Sequence, residues 1–259
     1  MRNITGINTI GLYTLIRREM ERIMRISVQT LAAPLISAFL FIFIFGSVLG
    51  QKIDLIAGIP YLQFVFPGIL IMNVIFSAFE HTSSSVYFGI WIRSIEEMVV
   101  APFSYVEMVL GYVLSAVIRS LVVGVGVLII GFLFGAVQIA SPLLFFGYLV
   151  AIATIFALLG ILVGLWAKGF EQLGLLNTFV ITPLTFLGGM FYSIELLPEA
   201  VKTITIFNPF FYFIDSMRYA TLGFNESNLM IGAVMIIGLI LVFGGLVLHL
   251  FKIGWKIRN

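Results

Sequence analysis

The sequence predicts an all-α polytopic membrane protein with six transmembrane helices, and three observations predict it. Hydrophobic residues make up 61% of the 259 residues and charged residues only 10%, with a mean hydropathy of +1.16. A soluble domain carries about 25% charge, so this chain has too little polar surface to cover a globule, and the bilayer is the solvent that fits. The apolar residues also fall in long continuous runs rich in Gly, Leu, Ile and Phe, without the alternation of a transmembrane barrel. Finally, the Lys and Arg residues cluster between the runs with a clear side bias. There are no cysteines, which excludes disulfides and thiol chemistry.

Residues 1–26 read as a cytoplasmic N-terminal segment. Within it Leu12, Ile16, Met20, Ile23 and Met24 recur at helical spacing, while Arg17, Arg18, Glu21, Arg22 and Arg25 lie on other faces. That pattern predicts an amphipathic interfacial helix over 7–26, with Glu21 and Arg25 as an i,i+4 pair. A basic flank that only sets topology is the other reading. No small-residue cleavage site cleanly follows the first apolar run, so it is kept as a span rather than a signal peptide.

Residues 27–259 read as a single six-helix transmembrane domain, with spans at about 28–49, 61–80, 107–135, 142–166, 173–192 and 230–250. Each is near the roughly 20 residues that cross the hydrocarbon, and the third is long enough to tilt or project into water. With the N-terminus cytoplasmic, Arg2, Arg17, Arg18, Arg22, Arg25, Arg93, Lys168, Lys252, Lys256 and Arg258 fall inside. Only Lys52, Lys202 and Arg218 fall outside. The positive-inside rule then places both termini in the cytoplasm, and six spans fit that parity.

By this topology residues 81–106 are the longest cytoplasmic loop between spans. They contain most of "IWIRSIEEMVVAPFSYVEM" (90–108), the longest interior charged island, with Arg93, Glu96, Glu97 and Glu107. Ile95, Met98 and Val99 line one helical face, Arg93, Glu96 and Glu97 point elsewhere, and Pro102 ends the turn. The spacing predicts a short amphipathic helix held near the membrane with its charges toward the cytoplasm. It is either gripped by a soluble partner or simply solvated.

Residues 193–228 are too long for a turn and too apolar for a wet loop. Pro198 and Pro209 divide them into two short helices that dip into the outer leaflet and return, a re-entrant hairpin between spans five and six. Asn208 suits an N-cap with Pro209 in the first helical position, and Asp215 and Arg218 are spaced to pair. The cluster Phe207, Phe210, Phe211, Tyr212 and Phe213 is either the apolar part of an outer gate or an interfacial aromatic belt.

Arg119 is the most expensive residue in the chain, since an Arg at a span centre costs roughly 2.5–3.5 kcal/mol on insertion scales. It must face protein or water, with Asn73, Asn177, backbone carbonyls or a lipid phosphate as partners. Two roles stay open, a substrate headgroup contact and a structural clamp. Asn73, Asn177, Thr178 and Thr182 can glue helices, and Gly131/Gly135 and Gly160/Gly164 permit close helix approach. His81 beside Glu80 reads as an interfacial polar pair. No H-E-x-x-H, G-x-S-x-G or clustered Asp motif suggests catalysis or a metal. The dipeptide Gly-Lys is absent, so the chain has no P-loop, and any ATP must be bound by a partner.

The run "IRSIEEMVVAPFSYVEMVLG" (92–111) resembles the first cytoplasmic loop of type-2 ABC exporter permeases. There an acidic pair, a hydrophobic pair, an Ala-Pro and a span start follow in this order. "LTFLGGMFYSIELLPEAVKTITIFNPFFYFIDSMRY" (184–219) matches a second family feature. It contains a Gly-Gly and aromatic end to the fifth span, a Leu-Pro, an Asn-Pro-aromatic and a late Arg, here Gly188, Gly189, Phe191, Leu197, Pro198, Asn208, Pro209, Phe210 and Arg218. The nearest kin by these motifs are the drug-resistance and nodulation-factor inner-membrane permeases. The resemblance implies a half-transporter in the bacterial inner membrane. Two copies of the chain would pair above two ATP-binding cassette subunits, which would hold ATP and Mg. It makes Arg93, Ile95, Glu96, Glu97, Met98, Val99 and Pro102 the coupling helix, and Gly188 to Arg218 an outer gate. The expected cargo is an amphipathic or hydrophobic molecule such as a lipid, a lipid-linked glycan or a drug. The competing reading, an ATP-independent secondary transporter or channel, needs carboxylates or broken helices inside the spans, and no Asp or Glu falls well inside the runs.

Overall fold

The computed structural model describes residues 8–25, 28–50, 53, 55–95, 98 and 103–256. Glu96, Glu97, Val99 and Pro102 of the expected coupling helix lie outside these described residues, as do Arg2, Lys52 and Arg258. The described residues are helical nearly throughout, with one small two-stranded hairpin among them.

Helix α1 (Thr9–Arg25) is the amphipathic N-terminal element. The next helical run begins with a π turn (Val28–Ala32), continues as α2 (Ala33–Phe43) and ends in a second π turn (Ile44–Leu49). Strands β1 (Leu55–Ile56) and β2 (Ile59–Pro60) pair antiparallel around Ala57 and Gly58, both at positive φ. Then come α3 (Tyr61–Trp91), α4 (Tyr105–Leu133) and α5 (Pro142–Trp166). A broken run follows, made of α6 (Phe170–Leu176), a π turn (Asn177–Ile181) and α7 (Thr182–Leu187). Two short helices, α8 (Glu199–Phe207) and α9 (Pro209–Leu222), precede the last, α10 (Leu229–Ile253).

Among the described residues, four helices are long and apolar enough to cross a membrane: α3, α4, α5 and α10. Their outward faces carry large apolar side chains, such as Val122, Ile129 and Phe132 on α4 and Val234, Leu241 and Val242 on α10. Aliphatic surface on this scale is stable against lipid and not against water.

Helix α3 is the axis of the bundle, buried on almost every face from Phe64 to Val86. It extends as one helix to Trp91 rather than ending near residue 80. The polar stretch after His81, read from sequence as loop, stays helical because its hydroxyls find partners. Ser84 Oγ donates to the His81 carbonyl at 3.1 Å, and Thr82 Oγ1 donates across to the Ala157 carbonyl of α5 at 2.8 Å. A 31-residue helix is about 46 Å long at 1.5 Å per residue. It therefore outruns the roughly 30 Å of hydrocarbon and projects past it.

Gly160 and Gly164 let α5 meet α3 backbone to backbone. A Cβ on Gly160 would fall 2.5 Å from the Phe79 carbonyl oxygen, and one on Gly164 would fall 2.7 Å from that of Ser83. Gly131 makes room for the Phe66 ring, whereas Gly135, with φ +69 and nothing near it, serves a turn and not an interface.

Candidate functional site

The chain gathers polar side chains in three clusters. The first surrounds Arg218 on α9. Asn208 caps that helix as expected, its side chain accepting from the Phe210 N–H at 3.0 Å with Pro209 in the first helical position. Asn208 Nδ2 also donates to the Leu184 carbonyl at 2.6 Å, which ties the hairpin to α7. Gly188 brings α7 against the Phe210 backbone, within 3.0 Å of where its own Cβ would lie. Gly189, at φ +79, turns its carbonyl toward Arg218.

Arg218 is fully buried. Its guanidinium donates to the Gly189 carbonyl at 2.8 Å, to the Phe64 carbonyl of α3 at 3.4 Å and to Glu226 Oε2 at 3.0 Å, and it lies 3.8 Å from the Phe64 ring centroid. The carboxylate that answers it is therefore Glu226, and the expected Asp215–Arg218 pair does not form. Asp215 instead accepts from the Glu226 and Ser227 backbone N–H groups at 2.8 and 2.9 Å, shaping the loop that carries Glu226. Gly223, in the left-handed region, ends α9 and starts that loop. Ser193 Oγ and the Ile194 N–H donate to the other Glu226 oxygen. Burial pushes the Glu226 carboxyl above the usual range, against the opposing pull of Arg218 and the Ser193 hydrogen bond.

Pro198 caps α8, its carbonyl accepting from Val201 and Lys202. The aromatic cluster expected here divides. Phe210 and Phe213 are buried against Phe156 of α5, with centroids 5.3 and 5.9 Å apart, while Phe207 is 82% exposed. The rings that gather around Phe191 are Phe41, Phe45 and Phe186, with Phe45 stacked at 4.2 Å, and the Tyr61 hydroxyl donates to the Phe191 carbonyl. Phe41 and Phe45, spaced i,i+4 and stacked at 6.1 Å, were a local signal in the sequence, but Phe186 and Phe191 come from a distant segment that this spacing does not point to.

The second cluster surrounds Arg119 on α4, which is 6% exposed. Its Nη2 donates to the Thr30 carbonyl at 3.3 Å. Asn73, named from sequence as a partner, donates instead to its own helix at Ile69. Asn177 is bound to Glu80, its Nδ2 lying 3.1 Å from Oε1. Glu80 thus ties α3 to Asn177 of the π-broken run, at the end of the stretch read from sequence as the second span.

The third cluster joins α1 to α3 and α4, around a residue the sequence reading overlooked. Glu19 is 2% exposed. It accepts from Ser85 at 2.6 Å and from Arg22 and Arg18 at 3.2 Å, and lies 3.9 Å from His81. His81 Nε2 in turn meets Ser115 Oγ of α4 at 3.1 Å. Its only sequence signal is that Glu19 stands between Leu15 and Ile23 on the apolar side of α1. On the exposed side, Glu21 pairs with Arg17 at 2.8 Å.

Glu107, one of the four charges of the interior island, turns inward. It completes a capping box with Ser104 and accepts from the Asn8 N–H at 2.5 Å, which ties α1 to the start of α4. Arg93 is exposed and at positive φ (59°), marking the turn after α3, while Ile95 and Met98 are buried. A Cβ on Gly89 would fall 2.8 Å from the Ile95 side chain, so this segment is seated directly against α3.

A family model described as ABC-2 type transporter matches residues 11–222. The chain is 38% identical over 248 residues to the inner membrane transport permease YadH of Escherichia coli K12, covering 96% of this chain and 94% of that protein. It is 28% identical over 197 residues to Nodulation protein J of Rhizobium leguminosarum bv. trifolii, covering 74% of this chain and 72% of that protein.

Proposed function

Because the chain belongs to the ABC-2 type transporter family, we propose that it is the permease half of an ATP-driven exporter in the bacterial inner membrane. Two copies pair, and two separate ATP-binding cassette subunits dock beneath them and bind the ATP and Mg. The four long helices are joined by two further spans, the runs from Val28 to Leu49 and from Phe170 to Leu187, with both termini cytoplasmic. The cargo is amphipathic or hydrophobic: a lipid, a lipid-linked glycan or a drug.

The observation that carries this reading is the seating of the segment after α3. Ile95 and Met98 are buried and Arg93 faces outward at the turn, the division of faces that a docking element held to a membrane domain requires. Ile95 and Met98 fasten the segment to the bundle, and the coupling residues Arg93, Glu96, Glu97, Val99 and Pro102 are the ones we assign to the contact with the ATPase. Its displacement passes directly into α3, whose far end holds Arg218 through the Phe64 carbonyl. Gly188, Gly189, Phe191, Pro198, Asn208, Pro209 and Phe210 complete the outer gate around Arg218. Arg119, Asn73 and Asn177 lie along the route between.

The test is to tag the chain, extract it gently from its native membrane and look for a co-purifying subunit with vanadate-sensitive ATPase activity. Near-equal amounts of such a subunit support the half-transporter. Purification alone, under conditions that preserve known complexes, moves an ATP-independent transporter to the front. The double variant Glu96→Lys/Glu97→Lys is expected to insert normally and to lose either the ATPase or the coupling of hydrolysis to transport. Full export by that variant would remove the coupling role.

A further inference from the structure

Two of the three described π turns supply partners to polar side chains of α3 and α4. Thr30 lies in the first, Val28–Ala32, and its carbonyl accepts from Arg119. Asn177 opens another, Asn177–Ile181, and donates to Glu80. A π turn takes backbone off the α-helical ladder and is frequent at functional sites. Between these turns the polar groups are incompletely answered. Among the described residues, Arg119 Nε and Asn177 Oδ1 are buried without a hydrogen-bond partner. Arg119 lies one turn along α4 from Ser115, whose Oγ meets the ring of His81, the residue next to Glu80, at 3.1 Å, and no ion pair joins Arg119 to Glu80 among the described residues. Glu80 is exposed on the chain surface although its neighbours on α3 are buried. The cluster therefore presents a guanidinium wanting an acceptor beside a carboxylate and an amide oxygen wanting donors.

Its depth narrows the occupant. Glu80 lies about 28 Å along α3 from Tyr61, close to one hydrocarbon thickness. Tyr61 is joined to the outer hairpin region through Phe191, so Glu80 stands at the headgroup level of the opposite, cytoplasmic leaflet. An Arg fork matches a phosphate, and a carboxylate beside an amide oxygen matches an N–H donor.

We propose that Arg119, Glu80 and Asn177 form a lateral site for a membrane lipid whose phosphate is followed by a hydrogen-bond-donating amine, a phosphoethanolamine headgroup taken from the cytoplasmic leaflet. This deepens the permease reading by naming the class of amphipathic molecule that the route accepts on its inner side, and only the statement that the lipid is cargo rests on that reading. Arg119 holds the phosphate, and Glu80 with Asn177 holds the ammonium. A phosphocholine headgroup offers the same phosphate with no N–H, and a phosphoglycerol headgroup offers hydroxyls without the positive charge.

The test uses the full chain in nanodiscs doped with diazirine-bearing phosphatidylethanolamine, phosphatidylcholine or phosphatidylglycerol, with labelled peptides located by mass spectrometry. The ethanolamine probe is expected to label the segments around Thr30 and Asn177 about fivefold more than the choline probe. Arg119→Gln lowers that labelling roughly tenfold, and Arg119→Lys retains part of it. Glu80→Gln brings the ethanolamine probe down to the level of the glycerol probe. Unlabelled phosphatidylethanolamine competes in the wild-type chain, a measurement that needs no variant to fold. Equal labelling by the choline and ethanolamine probes overturns the assignment, as does labelling unchanged by Arg119→Gln. Displacement by millimolar inorganic phosphate as effective as that by unlabelled lipid also overturns it, because the site would then read a free anion. Loss of the co-purifying ATPase would sink the exporter reading while leaving these binding results as they stand.

Discussion

Replacing Arg218 with Met tests how the outer hairpin is held. The substitution keeps an unbranched chain of similar length and removes the charge. It deletes donors to Glu226 at 3.0 Å, to Gly189 at 2.8 Å and to Phe64 at 3.4 Å, together with the cation stacked 3.8 Å from the Phe64 ring. Glu226 is then left nearly buried without its countercharge. Breaking a buried ion pair from one side costs about 3–5 kcal/mol. For a domain of 150–250 residues each kcal/mol lowers Tm by about 2–4 °C, so a fall of roughly 10 °C is expected. Thermal unfolding in matched detergent micelles measures it. Glu226→Gln keeps one oxygen acceptor for Ser193 and Ile194 but leaves the buried Arg218 without its countercharge, so it should cost a comparable amount. The double variant Arg218→Met/Glu226→Gln should recover part of the loss, with a coupling energy above about 1 kcal/mol. A fall below about 2 °C, or strict additivity of the two single changes, would refute the claim that this pair fastens the hairpin to α3.

Two further predictions follow from the packing. Gly160→Leu has no space beside the Phe79 carbonyl and Thr82, so it should lower the yield of folded protein sharply, whereas Gly147→Leu, where nothing lies within 4 Å of the added Cβ, should leave it unchanged; size-exclusion profiles of the two variants check this. Glu19→Leu removes the acceptor shared by Ser85, Arg18 and Arg22 and should free α1 to proteolysis at its arginines, while Glu19→Gln, which keeps one oxygen, should protect it at least partly; equal cleavage of Glu19→Leu and wild type would contradict the buried-carboxylate account.

Much of the bundle was legible because hydropathy is a local property. The apolar runs that became α4, α5 and α10 lie within a few residues of their helices, and Asn208–Pro209 announced the start of α9. The end of α3 was not legible. Residues 81–85 read as polar, and only the facing α5 shows that a threonine there can spend its hydroxyl on a neighbour's backbone. The partner of Arg218 escaped for a related reason. Helical spacing proposes Asp215 three residues back, but the left-handed turn at Gly223 swings Glu226 into range, and Asp215 holds the loop that does so. Glu19 was hidden by convention, since a carboxylate on an amphipathic helix is assigned to water until the helices that cover it are known.

The contact between α3 and α5 has a mechanical consequence. Where the two helices close at Gly160 and Gly164, the side chain between them at Gly160 is Thr82, held by its hydrogen bond to the Ala157 carbonyl, so little rotamer freedom is left to absorb a displacement. These two helices therefore behave as one strut, and sliding one past the other would require them to separate first. Compliance lies in the other parts of the bundle, in the two runs broken by π turns, where residues can join or leave the helical ladder at small cost. The molecule is in this sense divided into a frame and its moving panels, and the glycines mark where the frame is welded.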